Sequence, residues 1–146
     1  MAQLDDFKAR VCAAIDDRRD LLVGVSHDLH ANPELAFDEH HAHELLTDVL
    51  EAEGLSVERG AYGLPTAFVA RKGTGNPTVA VLCEYDALPQ IGHACGHNII
   101  ASAGLGAGLA LAEIVEEAGG SVVVMGTPAE EGGGGKVMMI DAGAFD

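Results

Sequence analysis

The sequence predicts an α/β protein, a three-layer α/β/α sandwich in which helices cover a mainly parallel, mixed sheet. Three observations predict it. Stretches with apolar residues at helical spacing alternate with short strand-like runs along the chain. Two of those runs, Val79-Ala80-Val81-Leu82-Cys83 and Val122-Val123-Val124-Met125, are apolar throughout, as strands covered on both faces would be. The length of 146 residues suits one domain with a real core and is too short for two, so the chain is expected to be a single unit or part of one.

The elements follow in order. From Leu4 to His30 apolar residues recur at Phe7, Val11, Ala14, Ile15, Leu22, Val25 and Leu29, which predicts one amphipathic helix. Asn32-Pro33 stops it, because the residue before proline avoids the helical region. A second helix is expected from about Asp38 through Leu45, Leu46, Val49 and Leu50, with Gly54 as its C-terminal cap. Strands are expected at 56–59, 66–71 and 78–83, and KGTGNP, residues 72–77, reads as a hairpin turn between the last two. A third helix fits 98–118, small and glycine-rich in its first half. A strand at 121–126, the loop PAEEGGGG and a last helix at 135–142 complete the chain, without internal repeat or linker.

Composition excludes several functions. Net charge is −15, from 23 acids against 8 bases, with no cluster of Lys and Arg, so phosphate backbones and anionic lipid would be repelled. No nucleic acid and no membrane partner is expected. No apolar run reaches the ~18 residues of a membrane span. The N-terminus lacks the uninterrupted apolar stretch of a signal peptide, which makes the cytoplasm the expected location. Cys12, Cys83 and Cys95 cannot all pair within one chain, and reduced thiols are expected. Cys83 and Cys12 read as buried small hydrophobes, and His40, His41 and His43 as the polar side of the second helix.

In open α/β sheets ligands bind beyond the carboxyl ends of the strands. Here those ends carry CEYDALPQIGHACGHN, residues 83–98, and GTPAEEGGGG, residues 126–135. Thiolate and imidazole together suit zinc and other borderline metals, and carboxylates widen the range toward manganese. Cys95 and His97 cannot share a helix face at this spacing, but the intervening glycine lets an irregular turn aim both at one ion. His93 is a third candidate by spacing, although a histidine in a glycine-rich loop is more often a hydrogen-bonded structural residue. Of Glu130 and Glu131, one could bind metal and the other accept a proton from activated water. Alone, the pair would read as a solvated acidic turn.

These motifs, with LHANPELAFDE at 29–39, resemble the M20 metallopeptidases, in particular the amidohydrolase branch with the aminoacylase-like enzymes and the B-type subunit of aminobenzoyl-glutamate hydrolase. The resemblance covers nearly the whole chain. It implies a zinc-peptidase-like fold, here incomplete, and hydrolysis of amide bonds in a small-molecule substrate: an N-acyl amino acid, an aminobenzoyl-glutamate-like conjugate or a dipeptide. It implies Cys95, His97 and Glu131 as ligands of zinc or manganese, one or two ions in the complete enzyme. Glu130 would be the general base and Asp86 would orient the ligands, while Glu84 stays unassigned. Many members of the branch read CGHD, whereas Asn98 stands here, which places the chain nearer the aminobenzoyl-glutamate and dipeptidase-like subgroup. Family members are more than twice as long, with an inserted dimerisation domain that makes them homodimers and with further ligand histidines, and no histidine follows His97 here. The chain is therefore expected to be the N-terminal portion of a catalytic domain. The alternative is an inert metal-binding or partner-binding half-domain, with a redox or metal-buffering protein using Cys95 as a weaker rival.

Two other motifs fail on inspection. GLGAGLAL, residues 104–111, has the wrong spacing for a dinucleotide loop and lies inside an expected helix, where close packing explains its glycines better. EEGGGGKV lacks both the first glycine of a phosphate loop and the hydroxyl residue after its lysine.

Overall fold

The computed structural model describes residues 2–145, and its elements run α1 (Ala2–Asp17), α2 (Arg19–Ala31), α3 (His40–Ala52), β1 (Ser56–Arg59), a 3-10 turn (Ala61–Gly63), β2 (Phe68–Gly73), β3 (Thr78–Cys83), α4 (His97–Ala112), β4 (Ser121–Gly126) and α5 (Gly135–Asp141). The expected single helix over 4–30 is two. Arg18 leaves helical geometry, and its guanidinium is anchored on Glu53, Glu113 and the Ala14 carbonyl. The break lets α1 and α2 each lie against α4. Helix α2 ends as expected before Pro33, and α3 ends in a left-handed Gly54 whose successor, Leu55, donates back to the Leu50 carbonyl. The start of α3 is capped by Glu34, whose carboxylate accepts the His41 and Ala42 amides at 2.9 Å.

The sheet order is β1-β2-β4-β3. It is mixed, but the expected parallel majority is absent: β1/β2 and β2/β4 are antiparallel, and β3/β4 is the parallel pair. The hairpin expected across 72–77 is also absent, because β4 inserts between β2 and β3. The segment instead crosses the sheet end, with Gly75 donating to the Gly120 carbonyl and Ser121 to that of Pro77. Burial explains the order. In β4, Val122, Val124 and Met125 are all buried, which suits a central strand, while β3 lies on the edge with Val79 47% exposed. The apolar run of β3 is thus not covered on both faces.

Helices α2, α3 and α4 bury Leu29, Leu46, Leu50, Leu105 and Leu109 against Phe68, Ala70, Cys83 and Val124 on one sheet face. Glycines let α4 approach closely. A Cβ on Gly104 would stand 2.6 Å from the Leu82 carbonyl oxygen, and one on Gly108 would overlap a Val124 methyl. On the other face Met139 of α5 packs with Val69 and Met125, so the third layer of the sandwich is α5 at one end of the sheet. Cys83 is buried as expected. Cys12 is exposed, and His43 is half-buried with its ring edge-on to Phe68. No helix among the described residues is long and apolar enough to cross a membrane.

Candidate metal centre

The parallel pairing of β3 and β4 sets Cys83 opposite Gly126, so both strands release their loops at the same edge. Thr127 fastens the two ends, donating its amide to the Cys83 carbonyl at 2.9 Å. The first loop turns at Gly92 and reaches α4 through Gly96, whose φ of +87° a side chain would resist. His97 is the first residue of α4 and is buried.

The His97 ring is oriented from behind. Its Nδ1 lies 2.8 Å from the Asp86 carbonyl oxygen and 2.9 Å from Asp86 Oδ1. With Nδ1–H donating to the carbonyl, the lone pair sits on Nε2, which faces Glu84 at 3.5 Å, Glu130 at 3.7 Å and Glu131 at 3.9 Å. Asp86 itself is 0% exposed. Its Oδ2 accepts the Glu131 amide at 2.9 Å, and its Oδ1 has no hydrogen-bond donor among the described residues once Nδ1–H of His97 is given to the carbonyl.

The structure brings Cys95, His97 and Glu131 together, with one ligand atom from each lying within 4.8 Å of the others. Glu84, His97 and Glu130 form a second such group around the same imidazole. This donor set fits a divalent cation. One thiol, one imidazole whose free nitrogen faces the site, and carboxylates gathered around it are borderline-metal ligands. The incompletely hydrogen-bonded buried charge of Asp86, just behind, is a group that positive charge in the site would compensate. Burial, aided by Glu131, raises the Cys95 thiol above its ordinary pKa, and a bound cation would reverse that preference.

His93 belongs to neither group. It is buried, its Nδ1 has no partner among the described residues, and burial together with His30 and His97 lowers its pKa, favouring a neutral ring. Two further participants carry little signal in the sequence. Lys136 of α5 pairs with Glu84 and lies 3.9 Å from Glu130, placing an internal cation beside the acidic groups. Its sequence signal is the lysine of EEGGGGKV, a stretch whose spacing excludes a phosphate loop. The second is Glu39, a fully buried carboxylate that accepts the Ala129 amide at 2.8 Å and the Thr66 hydroxyl at 2.8 Å. The stretch 29–39 signals it only as part of a resemblance.

No protein-family profile matches the sequence. Individual relatives do. The chain is 43% identical to the mouse Xaa-Arg dipeptidase, over 99% of this chain and 37% of that protein. It is 35% identical to the B-type subunit of the Escherichia coli p-aminobenzoyl-glutamate hydrolase, over 91% of this chain and 32% of that protein. In structure it superposes with a TM-score of 0.79, at 27% identity, on a Bacillus subtilis dinuclear metal binding peptidase, over 90% of this chain and 41% of that one. The chain thus spans about a third to two-fifths of the proteins it matches. Over nine-tenths or more of its length the sequence is similar to a dipeptidase and to an amide hydrolase, and its fold to that of an M20-family peptidase: the chain belongs to the M20 peptidase family, in its amidohydrolase branch.

Proposed function

We propose that these residues are the N-terminal, ligand-bearing portion of the catalytic domain of a metal-dependent amide hydrolase, acting on a dipeptide, an N-acyl amino acid or an aminobenzoyl-glutamate-like conjugate. The observation that carries this reading is the convergence of Cys95, His97 and Glu131 within 4.8 Å. These three would hold the ion, zinc or manganese. The names of the relatives, a dipeptidase and a p-aminobenzoyl-glutamate hydrolase, support the substrate classes.

A divalent ion held by Cys95, His97 and Glu131 would supply Lewis acidity and would lower the pKa of water toward ~7. Glu130 would take the proton from the attacking water and pass it to the leaving amine nitrogen, a role supported by its position next to Glu131 and 3.7 Å from His97 Nε2. Asp86 keeps His97 in the tautomer that turns Nε2 to the site, and through the Glu131 amide it holds the second loop in register with the first.

A second reading, a metal-binding half-domain inactive by itself, is favoured by one observation. Both metal-competent groups draw on the same His97 side chain, and no histidine follows it in these 146 residues to serve a second ion. Two measurements decide. Metal content is expected to fall with Cys95→Ala and with His97→Ala, and unchanged content in Cys95→Ala would refute the ligand assignment. Hydrolysis of dipeptides or aminobenzoyl-glutamate that disappears in Glu130→Gln would support the enzyme and refute the inactive half-domain.

A further inference from the structure

The segment between α2 and α3 touches both loops of the site. The Glu34 carbonyl accepts the Ala87 amide at 2.7 Å, one residue after Asp86. The Phe37 ring lies against Gly133, so closely that a Cβ there would overlap it. Glu39 then reaches across 90 positions of sequence to the residue before Glu130.

Ala129, which donates its amide to Glu39, is fully buried and sits in the left-handed region at φ +57°, a conformation that a residue with a Cβ adopts only when its surroundings impose it. The Ala129 carbonyl closes the turn by accepting the Gly134 amide at 2.9 Å. Two residues on, the Glu131 amide is held by Asp86. Glu130 is therefore bracketed by two buried carboxylates, each holding a backbone N–H. Of the two, only Asp86 is identified by its motif.

We infer that Glu39 is a positioning residue of the metal centre: its buried carboxylate holds Ala129 in the left-handed conformation and thereby sets the directions of Glu130 and Glu131. The inference rests on the reading of Glu131 as a ligand. Thr66, donating to the other oxygen of Glu39, fixes the carboxylate's orientation, and Thr66 is itself held through its carbonyl by the Tyr85 hydroxyl at 2.5 Å, one residue before Asp86. The two brackets are thus joined through the core.

The test has two arms, both on the 146-residue chain. In the metal-free protein, amide exchange followed by NMR should show Ala129 protected relative to the exposed Gly132 and Gly133. In the second arm, Co²⁺ affinity is measured by chelator competition. Glu39→Leu should weaken it by about 10- to 100-fold, the usual loss when a group orienting a ligand is removed. Glu39→Gln should stay within about threefold of the parent, because its amide oxygen can still accept from Ala129 and its NH₂ can donate to the Thr66 oxygen. A folded Glu39→Leu chain with parental affinity would overturn the inference, as would a Glu39→Gln chain as weak as Glu39→Leu, which would mean that charge and not the hydrogen bond matters. If Glu39→Leu does not fold, the exchange arm still decides: an Ala129 amide exchanging as fast as Gly132 overturns the inference. Failure of the ligand reading is separable, since Cys95→Ala with parental Co²⁺ affinity would refute that reading and leave the Ala129 exchange result intact.

Discussion

Gly104→Ala tests the close seating of α4 on the sheet and, with it, the placement of His97. The added Cβ would stand 2.6 Å from the Leu82 carbonyl oxygen and 2.8 Å from Cys83 Sγ. Ordinary contact is near ~3.5 Å, so helix and strand must separate by most of an ångström. The obstacle at Leu82 is backbone within a hydrogen-bonded strand and has no rotamer to yield. Overpacking of this kind costs about 1–3 kcal/mol, offset by up to ~1 kcal/mol from the better helix propensity of alanine. The net expectation is a loss of about 1–2 kcal/mol, or roughly 3–6 °C in Tm for a chain of this size, read by calorimetry or circular dichroism. The control is Gly24→Ala in α2, where an added Cβ meets nothing within 4 Å. It should stabilise by up to ~1 kcal/mol. Because α4 opens on His97 and β3 runs into Glu84 and Asp86, separating them should also weaken metal binding, which Gly24→Ala should leave unchanged. A rise in Tm for Gly104→Ala equal to that of the control would refute the packing argument.

Other expectations follow from the thiols and from Lys136. Native protein should expose Cys12 and Cys95 to a thiol reagent, with Cys83 reacting only on unfolding, because burial and the neighbouring Glu84 push its pKa up to about 12. The folded state therefore holds that proton more tightly than the unfolded chain, and stability declines as pH rises past the unfolded thiol's value near ~8.5. From about pH 8 to pH 10 denaturant titration should show the parent losing about 2 kcal/mol more than Cys83→Ala, and equal losses would refute the assignment. Lys136→Met removes the cation beside Glu84 and Glu130, and divalent-metal affinity should rise about tenfold after allowance for solvent screening. A fall would mean instead that Lys136 holds Glu84 in place.

Most element positions were legible in the sequence, and the departures share a physical origin. The apolar runs of β3 and β4 end at turn residues, which places both strands at their observed bounds, and β1 is bounded by Gly54 and Gly60. Periodicity could not tell a central strand from an edge strand. Val79-Ala80-Val81-Leu82-Cys83 and Val122-Val123-Val124-Met125 look alike as strings, and only tertiary pairing decides that the second is buried between two neighbours. The break at Arg18 was hidden for a similar reason, since its cause lies in Glu53 and Glu113, far away in sequence. The same division runs through the site. Cys95, His97, Glu130 and Glu131 stand out as candidates because metal-competent residue types recur together in the loops that follow β3 and β4. Glu39 does not, because a carboxylate beside a helix start reads as a solvated or capping group until its partner, 90 residues on, is known.

The departure from the expected strand arrangement does not separate the two loops, and the reason is geometric. What brings the two loops together is the parallel pairing of β3 with β4, joined through α4, which sets Cys83 opposite Gly126. Any sheet that keeps this pair keeps the loops adjacent, whether β2 lies beside β3 or, as here, beyond β4. The crossover helix alone implies such a pair, since consecutive strands linked by a helix favour parallel neighbours in one sheet. Antiparallel β1 and β2 fall on the far side and bear on the site through Thr66, just before β2, which braces Glu39. The proposed ligands Cys95 and His97 therefore depend on the local β3-α4-β4 unit, while the aim of Glu130 and Glu131 depends on a long-range contact from the segment before α3. Loss of a proposed ligand of the first class should cost metal binding directly. Substitutions in the second class should leave Cys95 and His97 in place and loosen only the carboxylate side of the centre.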